Sequence, residues 1–162
     1  MMPQQKPQPY EGDYPYIFVS YAHADGAAMP IIRALVDEGY RVWYDDGIQA
    51  GSSFPDYIAD RLFGCSCVLM LVSRSSLTSG WCRNEVEYAL DLGRPVLPVY
   101  LEDVELPRAL HLRLGSVQAL YWHSYATDDD FNDKLFSVRM LDPCLRPDAK
   151  RRRGVPPRGA KP

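Results

Sequence analysis

The sequence predicts a three-layer α/β domain, in which helices cover both faces of a five-stranded parallel sheet. Segments with strand composition alternate along the chain with segments whose apolar residues recur at helical spacing. Such alternation is typical of the βαβ units that build a parallel sheet. Residues 67–73, CVLMLVS, are apolar at six consecutive positions, as expected for a central strand that is buried on both faces.

The first repeat is predicted from composition and from a glycine stop. Residues 16–21, YIFVSY, combine aromatic and β-branched side chains and predict a strand. Apolar side chains recur at helical spacing within residues 27–38, and Gly39 ends this predicted helix. Residues 41–44, RVWY, then predict a short second strand.

A turn-rich loop separates the second strand from the next helix. Residues 45–53 contain several Asp, Gly and Ser residues, which predict that loop. Pro55 then opens a helix, because proline is favoured in the first helical turn. Four residues of this helix are expected to face inward, namely Tyr57, Ile58, Leu62 and Phe63.

The second half of the chain continues the alternation less regularly. Residues 74–80 predict a loop, and residues 82–92 predict a helix that ends at Gly93. Residues 95–101 predict a fourth strand, whose length two prolines limit. Residues 104–114 are expected to be irregular.

The last elements complete the sheet and define where a ligand would bind. Residues 116–122 predict a fifth strand at a sheet edge, and residues 131–141 predict a last helix. The acidic residues 128–130 suit the positive end of its dipole. Five such strands suit the flavodoxin-like order 2-1-3-4-5, whose ligand crevice lies between the first and third strands. The loops at 21–26 and 74–80 should therefore form that crevice.

Length and composition exclude several classes of protein. A chain of 162 residues suits one domain. No apolar run approaches the ~18–20 residues of a membrane span, and no segment resembles a signal peptide, so we expect a cytoplasmic protein without a transmembrane segment. The three histidines lack metal-ligand spacing, so no metal is expected. The four cysteines are expected to be buried free thiols: Cys65, Cys67, Cys82 and Cys144.

Charge is distributed unevenly along the chain. Residues 145–162 carry seven Lys and Arg against one Asp, whereas residues 1–144 carry eleven against twenty Asp and Glu. The acidic body argues against nucleic-acid binding by the folded domain. Residues 1–13 are polar and Pro-rich, and residues 145–162 are basic and Pro-rich. Both ends are expected to be disordered, which leaves residues 14–144 as the domain.

One short segment carries the strongest indication of chemistry. Residues 79–85, SGWCRNE, follow the central strand and open a helix. Residues at i and i+4 share one helical face, so Trp81 and Glu85 point the same way. A carboxylate beside an indole is thereby expected at the crevice of the sheet.

Three motifs, in order and with suitable spacing, resemble those of Toll/interleukin-receptor (TIR) domains of the bacterial type. Residues 16–25, YIFVSYAHAD, resemble the first-strand box. Residues 42–51, VWYDDGIQAG, look like the second strand and the BB loop. Residues 73–85 are similar to the segment that ends in the catalytic glutamate of this family. The resemblance covers about residues 14–141.

The resemblance implies two different functions. Many bacterial and plant TIR domains, and some animal ones, cleave NAD+ at the bond between nicotinamide and ribose. Others act only as scaffolds that associate with further TIR domains in immune signalling. In the enzymes, Glu85 matches the catalytic glutamate and Trp81 the tryptophan of the WxxxE element. His23 and Ala24 stand where a small polar pair is more common.

The resemblance also assigns a loop and a substrate site. The loop that gates the site and joins neighbouring domains would include Asp46, Gly47, Ile48 and Gly51. NAD+ would be a substrate and not a cofactor, and no GxGxxG motif of a Rossmann site is present. The candidate substrate-binding residues are Ser20, Tyr21, Trp43, Asp46, Gly47 and Trp81.

The reaction needs only one carboxylate. Nicotinamide in NAD+ is a cationic pyridinium and leaves as a neutral molecule, so no acid must protonate it. The developing oxocarbenium ion of the ribose is stabilised by a nearby negative charge, which Glu85 would supply. Capture of this cation by water yields ADP-ribose, and capture by adenine yields a cyclic isomer; both products stay open.

Two further alternatives use the same fold. A non-catalytic TIR scaffold would associate through residues 46–53 without turning over NAD+. A phosphorylatable receiver domain needs an Asp at the end of the third strand, where this chain has Leu71, Val72 and Ser73. A nucleoside-processing transferase of similar topology also stays open.

Overall fold

The predicted parallel sheet is present in a computed structural model that describes residues 5–46 and 55–149. Five strands pair in the order β2-β1-β3-β4-β5, all in parallel. The strands are β1 Ile17–Ser20, β2 Val42–Tyr44, β3 Cys67–Val72, β4 Val96–Tyr100 and β5 Leu120–Tyr121. The helices are α1 Ala28–Glu38, α2 Pro55–Gly64, α3 Arg74–Thr78, α4 Gly80–Asp91, α5 Arg108–Leu114 and α6 Asp128–Phe136. This confirms the predicted fold class and strand order.

Alternate side chains of each strand face opposite layers, because the side-chain period of a strand is two. In β3, Leu69 and Leu71 pack under α1 and α6, whereas Val68 and Val72 pack under α2, α4 and α5. Every residue of β3 is buried. The central strand therefore carries both apolar cores, as the unbroken apolar run predicts.

Two glycines end helices where the chain must turn sharply. Gly39 follows α1 with a φ of 110°, and its N–H donates to the carbonyls of Leu35 and Val36. Gly93 follows α4 with a φ of 75°. A Cβ would be strained at such positive φ values, which explains why glycine occupies both predicted stops.

Several predicted elements differ in the structure. Residues 74–80 contain helix α3 in place of the expected loop, because Ser73 caps a short turn of helix. Residues 108–114 form α5, where the sequence predicts irregular chain. β5 has only two residues, and the last α-helix, α6, begins at Asp128 because Thr127 provides its N-cap.

The inward face of α2 is narrower than predicted. Ile58 and Leu62 are buried, as expected. Tyr57 is 37% exposed and Phe63 is 61% exposed, so the prediction that they face inward is wrong. Residues three or four apart share a helical face, which places Ile58 and Leu62 together and turns Phe63 away.

The described ends of the chain pack against the domain, although both were predicted to be disordered. The Tyr10 N–H donates to the Val42 carbonyl at 2.8 Å, so residues near position 10 lie along the outer edge of β2. Arg61 donates to the Tyr10 carbonyl at 2.9 Å. At the other end, the Arg146 N–H donates to the Gly39 carbonyl at 2.9 Å. Part of each predicted tail, residues 1–4 and 150–162, lies outside the described residues.

Candidate active site

A cleft of about 450 Å³ opens at the carboxyl ends of β1 and β3, where the strand order predicts a ligand crevice. One wall is the loop that follows β1, and the other is formed by α3 and the start of α4. The side chains that bear on its chemistry are Tyr21, His23, Asp45, Ser79, Trp81 and Glu85. The cleft therefore brings together residues that are up to 66 positions apart in the sequence, from Val19 to Glu85.

The start of α4 positions the glutamate. Ser79 is the N-cap, and its Oγ accepts a hydrogen bond from the Cys82 N–H at 3.3 Å. Trp81 follows in the first turn, and Glu85 lies four residues later on the same face. Ser79, the single residue between α3 and α4, thus caps a helix whose first turns direct both side chains toward the cleft.

Glu85 is held by the last residue of β1. The Ser20 Oγ donates to Glu85 Oε1 at 2.8 Å. Ser20 is 2% exposed, so this hydroxyl is fixed by the surrounding core. The bond joins the first strand to α4 beneath the cleft and sets the direction of the carboxylate.

The environment of Glu85 favours its protonated form. Burial raises the pKa of Glu85 from 4.5 to about 7, and the negative charge of Asp45 acts in the same direction. The hydrogen bond from Ser20 opposes both effects. A carboxylate with this pKa is about half ionised at neutral pH, and a positive charge in the cleft would favour its ionised form.

Two aromatic side chains flank the carboxylate. Tyr21 is 8% exposed, and its hydroxyl donates to the Asp45 carbonyl at 2.6 Å. Burial raises the pKa of Tyr21, so the hydroxyl stays neutral and remains a donor. Trp81 is 52% exposed at the rim of the cleft. One aromatic ring is therefore fixed within the wall, and the other presents a free face to a ligand.

His23 and Asp45 line the cleft on the same side as Tyr21, opposite Trp81. His23 Nε2 lies 3.1 Å from the Asp45 carbonyl oxygen and 4.0 Å from Asp45 Oδ2. The imidazole ring also packs against Tyr21, with 5.0 Å between the ring centroids. His23 is thus a cleft residue in contact with the end of β2.

These observations agree with a comparison between the sequence and known protein families. The family model of the TIR domain matches residues 17–136. This chain belongs to the TIR domain family. No curated protein is significantly similar to it in sequence.

Solved structures share the fold of this TIR domain at low sequence identity. The TIR domains of the activated Roq1 resistosome, which directly recognises the pathogen effector XopQ, superpose with a TM-score of 0.61 at 15% identity, covering 76% of this chain and 97% of that one. A metazoan TIR-STING receptor from C. gigas has a TM-score of 0.56 at 18% identity, covering 86% of this chain and 43% of that one. The CMP N-glycosidase BcmB of Clostridium botulinum has a TM-score of 0.52 at 15% identity, covering 75% of this chain and 98% of that one.

Within the TIR domain, three of the predicted site residues meet around the cleft. Tyr21, Trp81 and Glu85 line it, and Ser20 lies directly beneath it in contact with Glu85. Trp43 does not reach it. The Trp43 side chain is 4% exposed and packs in the core under α2, with its ring centroid 4.9 Å from that of Phe18.

The predicted loop is described only at its beginning. The Asp46 carbonyl accepts a hydrogen bond from Lys6 Nζ at 3.0 Å, and Asp46 does not line the cleft. Asp45 lines it instead, because successive side chains of an extended segment point to opposite sides. Gly47, Ile48 and Gly51 lie outside the described residues.

Sequence reasoning passed over several residues of the cleft. Asp45 is the most consequential, because it is the second carboxylate near Glu85, and strand alternation beyond β2 was the available signal. Ser75 and Ser79 also line the cleft, and they belong to the segment that the sequence predicts as a loop. Their placement follows from helix α3, which is too short to be predicted from apolar periodicity.

The cysteines lie within the core of the domain. All four cysteines are free and buried, as predicted: Cys65, Cys67, Cys82 and Cys144. Within residues 5–46 and 55–149, no group of three or more His, Cys, Asp or Glu side chains is placed to hold a metal ion. No helix in these same ranges is long and apolar enough to cross a membrane.

Proposed function

We propose that this TIR domain cleaves NAD+ at the bond between nicotinamide and ribose, as a glycohydrolase or cyclase. The observation that carries the proposal is the partly buried Glu85 carboxylate, held by Ser20 in a cleft of about 450 Å³. We further propose a cytoplasmic role in immune-type signalling or as an effector of the bacterial type.

Glu85 acts on the ribose. Glu85 lines the cleft. There its ionised carboxylate accepts from the 2′- and 3′-hydroxyls of the ribose and stabilises the developing oxocarbenium ion. The low polarity that raises its pKa also strengthens this electrostatic effect. Neutral nicotinamide departs without a proton, so no second acid is required.

The aromatic residues position the substrate. The exposed face of Trp81 stacks on a flat ring, and Tyr21 closes the opposite wall. Ser20 keeps the carboxylate oriented. Of the two predicted loop contacts we retain Gly47, whereas Asp46 does not line the cleft and is kept only as part of the assembly loop. Trp43 supports this arrangement only from within the core.

A solved neighbour supports the class of reaction. BcmB is described as a CMP N-glycosidase, so a protein of similar fold acts on the bond between a base and a sugar of a nucleotide. The identity of 15% limits this support to the fold. The position of Glu85 at the switch point is the independent reason for placing such chemistry here.

The proposal is tested by measuring nicotinamide release from NAD+ by chromatography. We expect turnover by the wild type and loss of at least ~100-fold in Glu85→Gln, since one electrostatic contact in an active site contributes about that much. Glu87→Gln is the matched control, because Glu87 is on the same helix and does not line the cleft. An inert wild type at high concentration, with molecular crowding agents added, would refute the proposal.

A scaffold role is the second candidate. One neighbour is described as an activated resistosome, so TIR domains of this fold occur in assemblies. The contacts would come from Asp46, Gly47, Ile48 and Gly51, through which this chain would bind copies of itself or other TIR domains. Association that a Gly47 or Ile48 substitution abolishes, without NAD+ turnover by the wild type, would favour this role. Both roles are compatible if self-association completes the catalytic site.

A further inference from the structure

Ser73 is a fully buried polar residue directly after β3. Its Oγ donates to Asp25 Oδ2 at 2.5 Å and accepts from the Ser76 N–H at 3.0 Å. A hydroxyl has a single proton to donate. The Asp25 carboxylate therefore receives the only hydrogen bond that the Ser73 side chain can donate.

The Ser73 hydroxyl also holds the start of α3. This helix has only five residues, too few to be stable without external contacts. Its N-terminus is a reciprocal cap, in which the Ser73 N–H donates to Ser76 Oγ at 2.9 Å while the Ser76 N–H donates to Ser73 Oγ. Displacement of the Ser73 side chain would thus break a hydrogen bond that caps this helix.

Ser79 connects the end of α3 to the start of α4. The Ser79 N–H donates to the Ser76 carbonyl at 3.2 Å, which ends α3. The Ser79 Oγ then accepts from the Cys82 N–H, which begins α4. Trp81 lies in this first turn, and Glu85 lies one turn later. A shift of α3 would accordingly move the wall that carries both.

Asp25 belongs to the opposite wall. Its N–H donates to the Ala22 carbonyl at 2.9 Å, and its carbonyl accepts from the Ala28 N–H at 3.2 Å. Both bonds fix it in the loop between β1 and α1, whose residues Ala22, His23 and Ala24 line the cleft. Asp25 does not line the cleft. The bond from Ser73 to Asp25 consequently joins the two walls across 48 residues of sequence.

We propose that Asp25 is a positioning residue, which acts through Ser73 to hold the loop after β1 against α3 and so keeps Glu85 in a narrow cleft. Asp25 touches neither Glu85 nor the cleft interior. Its bond to Ser73 joins the loop after β1 to α3, and the bond between Ser20 and Glu85 joins the end of β1 to α4. The consequence for turnover rests on the proposed function, whereas the consequence for the geometry of the cleft does not.

The test compares Asp25→Ala with Asp25→Asn. Both remove the same negative charge, but the Asn side-chain oxygen still accepts from the Ser73 hydroxyl. The first readout is the ¹³C NMR titration of the Glu85 carboxyl carbon, which needs no activity. We expect the midpoint to fall by about one pH unit or more in Asp25→Ala, because water enters the widened cleft. In Asp25→Asn it should stay within a few tenths of a unit of the wild type. The ionisable neighbours of Glu85, namely Tyr21, Asp45 and Cys82, are the same in both variants.

The second readout is nicotinamide release. We expect kcat/KM to fall by about 10- to 100-fold in Asp25→Ala, mainly through kcat, because small displacements of catalytic groups have effects of this size. Asp25→Asn should recover most of it. Ser73→Ala removes the donor from the other wall and should reproduce both changes of Asp25→Ala, which keeps the test decisive if Asp25→Ala fails to fold.

The outcomes separate the two proposals. Equal titration midpoints in wild type and both folded variants would overturn the role of Asp25, as would equal shifts in Asp25→Ala and Asp25→Asn, which would indicate a pure charge effect. If the titration midpoint of Glu85 falls in Asp25→Ala and not in Asp25→Asn, the positioning role is supported. If the wild type also shows no NAD+ turnover, the proposed enzymatic function is refuted while the positioning role stands.

Discussion

Replacing Glu85 with Gln should stabilise the domain, and the gain should grow as the pH rises. Gln has nearly the same shape, and its side-chain oxygen can accept the hydrogen bond that Ser20 donates to Glu85 Oε1 at 2.8 Å. The substitution therefore removes a partly buried negative charge and leaves the packing in place. The charge of Glu85, which the proposed catalytic role requires, would thus lower the stability of the folded protein.

The magnitude follows from the pKa of Glu85, which is raised from 4.5 to about 7 in the folded protein. Because the folded state holds the proton more tightly than the unfolded state, the free energy of unfolding falls as the pH rises between these values. The loss begins near pH 4.5 and is complete above pH 7. A pKa difference of one unit corresponds to about 1.4 kcal/mol, so the full penalty is at most ~3.5 kcal/mol. Glu85 is only partly buried, and solvent reduces this figure to roughly 1–2 kcal/mol.

The assay is thermal unfolding of wild type and Glu85→Gln, followed by circular dichroism from pH 5 to pH 8. For a domain of this size, 1 kcal/mol changes Tm by about 3 °C. We expect the difference in Tm between the two proteins to be roughly 3–6 °C larger at pH 8 than at pH 5. Titrations that both proteins share cancel in this difference.

Glu87→Gln serves as the control, since Glu87 is two residues from Glu85 and points to another side of α4. Its difference from wild type should not follow the same pH dependence. A Tm difference for Glu85→Gln that is constant from pH 5 to pH 8 would contradict the reasoning, because it would mean that the folded protein does not disfavour the Glu85 charge.

Three further predictions concern activity. The kcat/KM for NAD+ should rise with pH and level off above about pH 7, because only the ionised Glu85 is active and burial sets the pKa of this group in the free enzyme. A flat profile from pH 5.5 to 8.5 would contradict this. Ser20→Ala removes the hydrogen bond that lowers the pKa of Glu85, so a smaller fraction of Glu85 is ionised at pH 7. The activity of this variant should therefore fall several-fold at pH 7 and recover partly at pH 8.5. Equal losses at both pH values would exclude this mechanism. Trp81→Ala should raise KM by about 5-fold with little change in Tm, since the side chain is 52% exposed and its stacking contributes about 1 kcal/mol. Its control is Tyr88→Ala, at an exposed aromatic residue of the same helix outside the cleft.

Much of the fold could be predicted because it depends on local patterns. The apolar run of β3 predicts a central strand, and Gly39 predicts the end of α1. The strand order and its crevice follow from general rules for parallel sheets. The spacing of Trp81 and Glu85 then predicts two side chains on one face of α4, which the structure confirms.

The missed elements depend on contacts that are distant in sequence. Helix α3 is too short to be read from periodicity, and its cap is completed by Ser73, whose hydroxyl bonds to Asp25 in another loop. The ordered packing near Tyr10 depends on the edge of β2 and on Arg61 of α2. A polar, Pro-rich composition predicts disorder only when no such partners are available.

For this chain, the sequence alone determined the layered α/β architecture, the family to which the domain belongs, and the helix face that bears Glu85. These properties arise from hydrophobic periodicity and from short motifs, in which the interacting residues are close along the chain. Only the tertiary structure decided that Asp45 faces the cleft, that Trp43 lies in the core, and that Ser20 and Asp25 tie the walls together. These contacts join residues from separate strands and loops, and their geometry is set by how the layers pack.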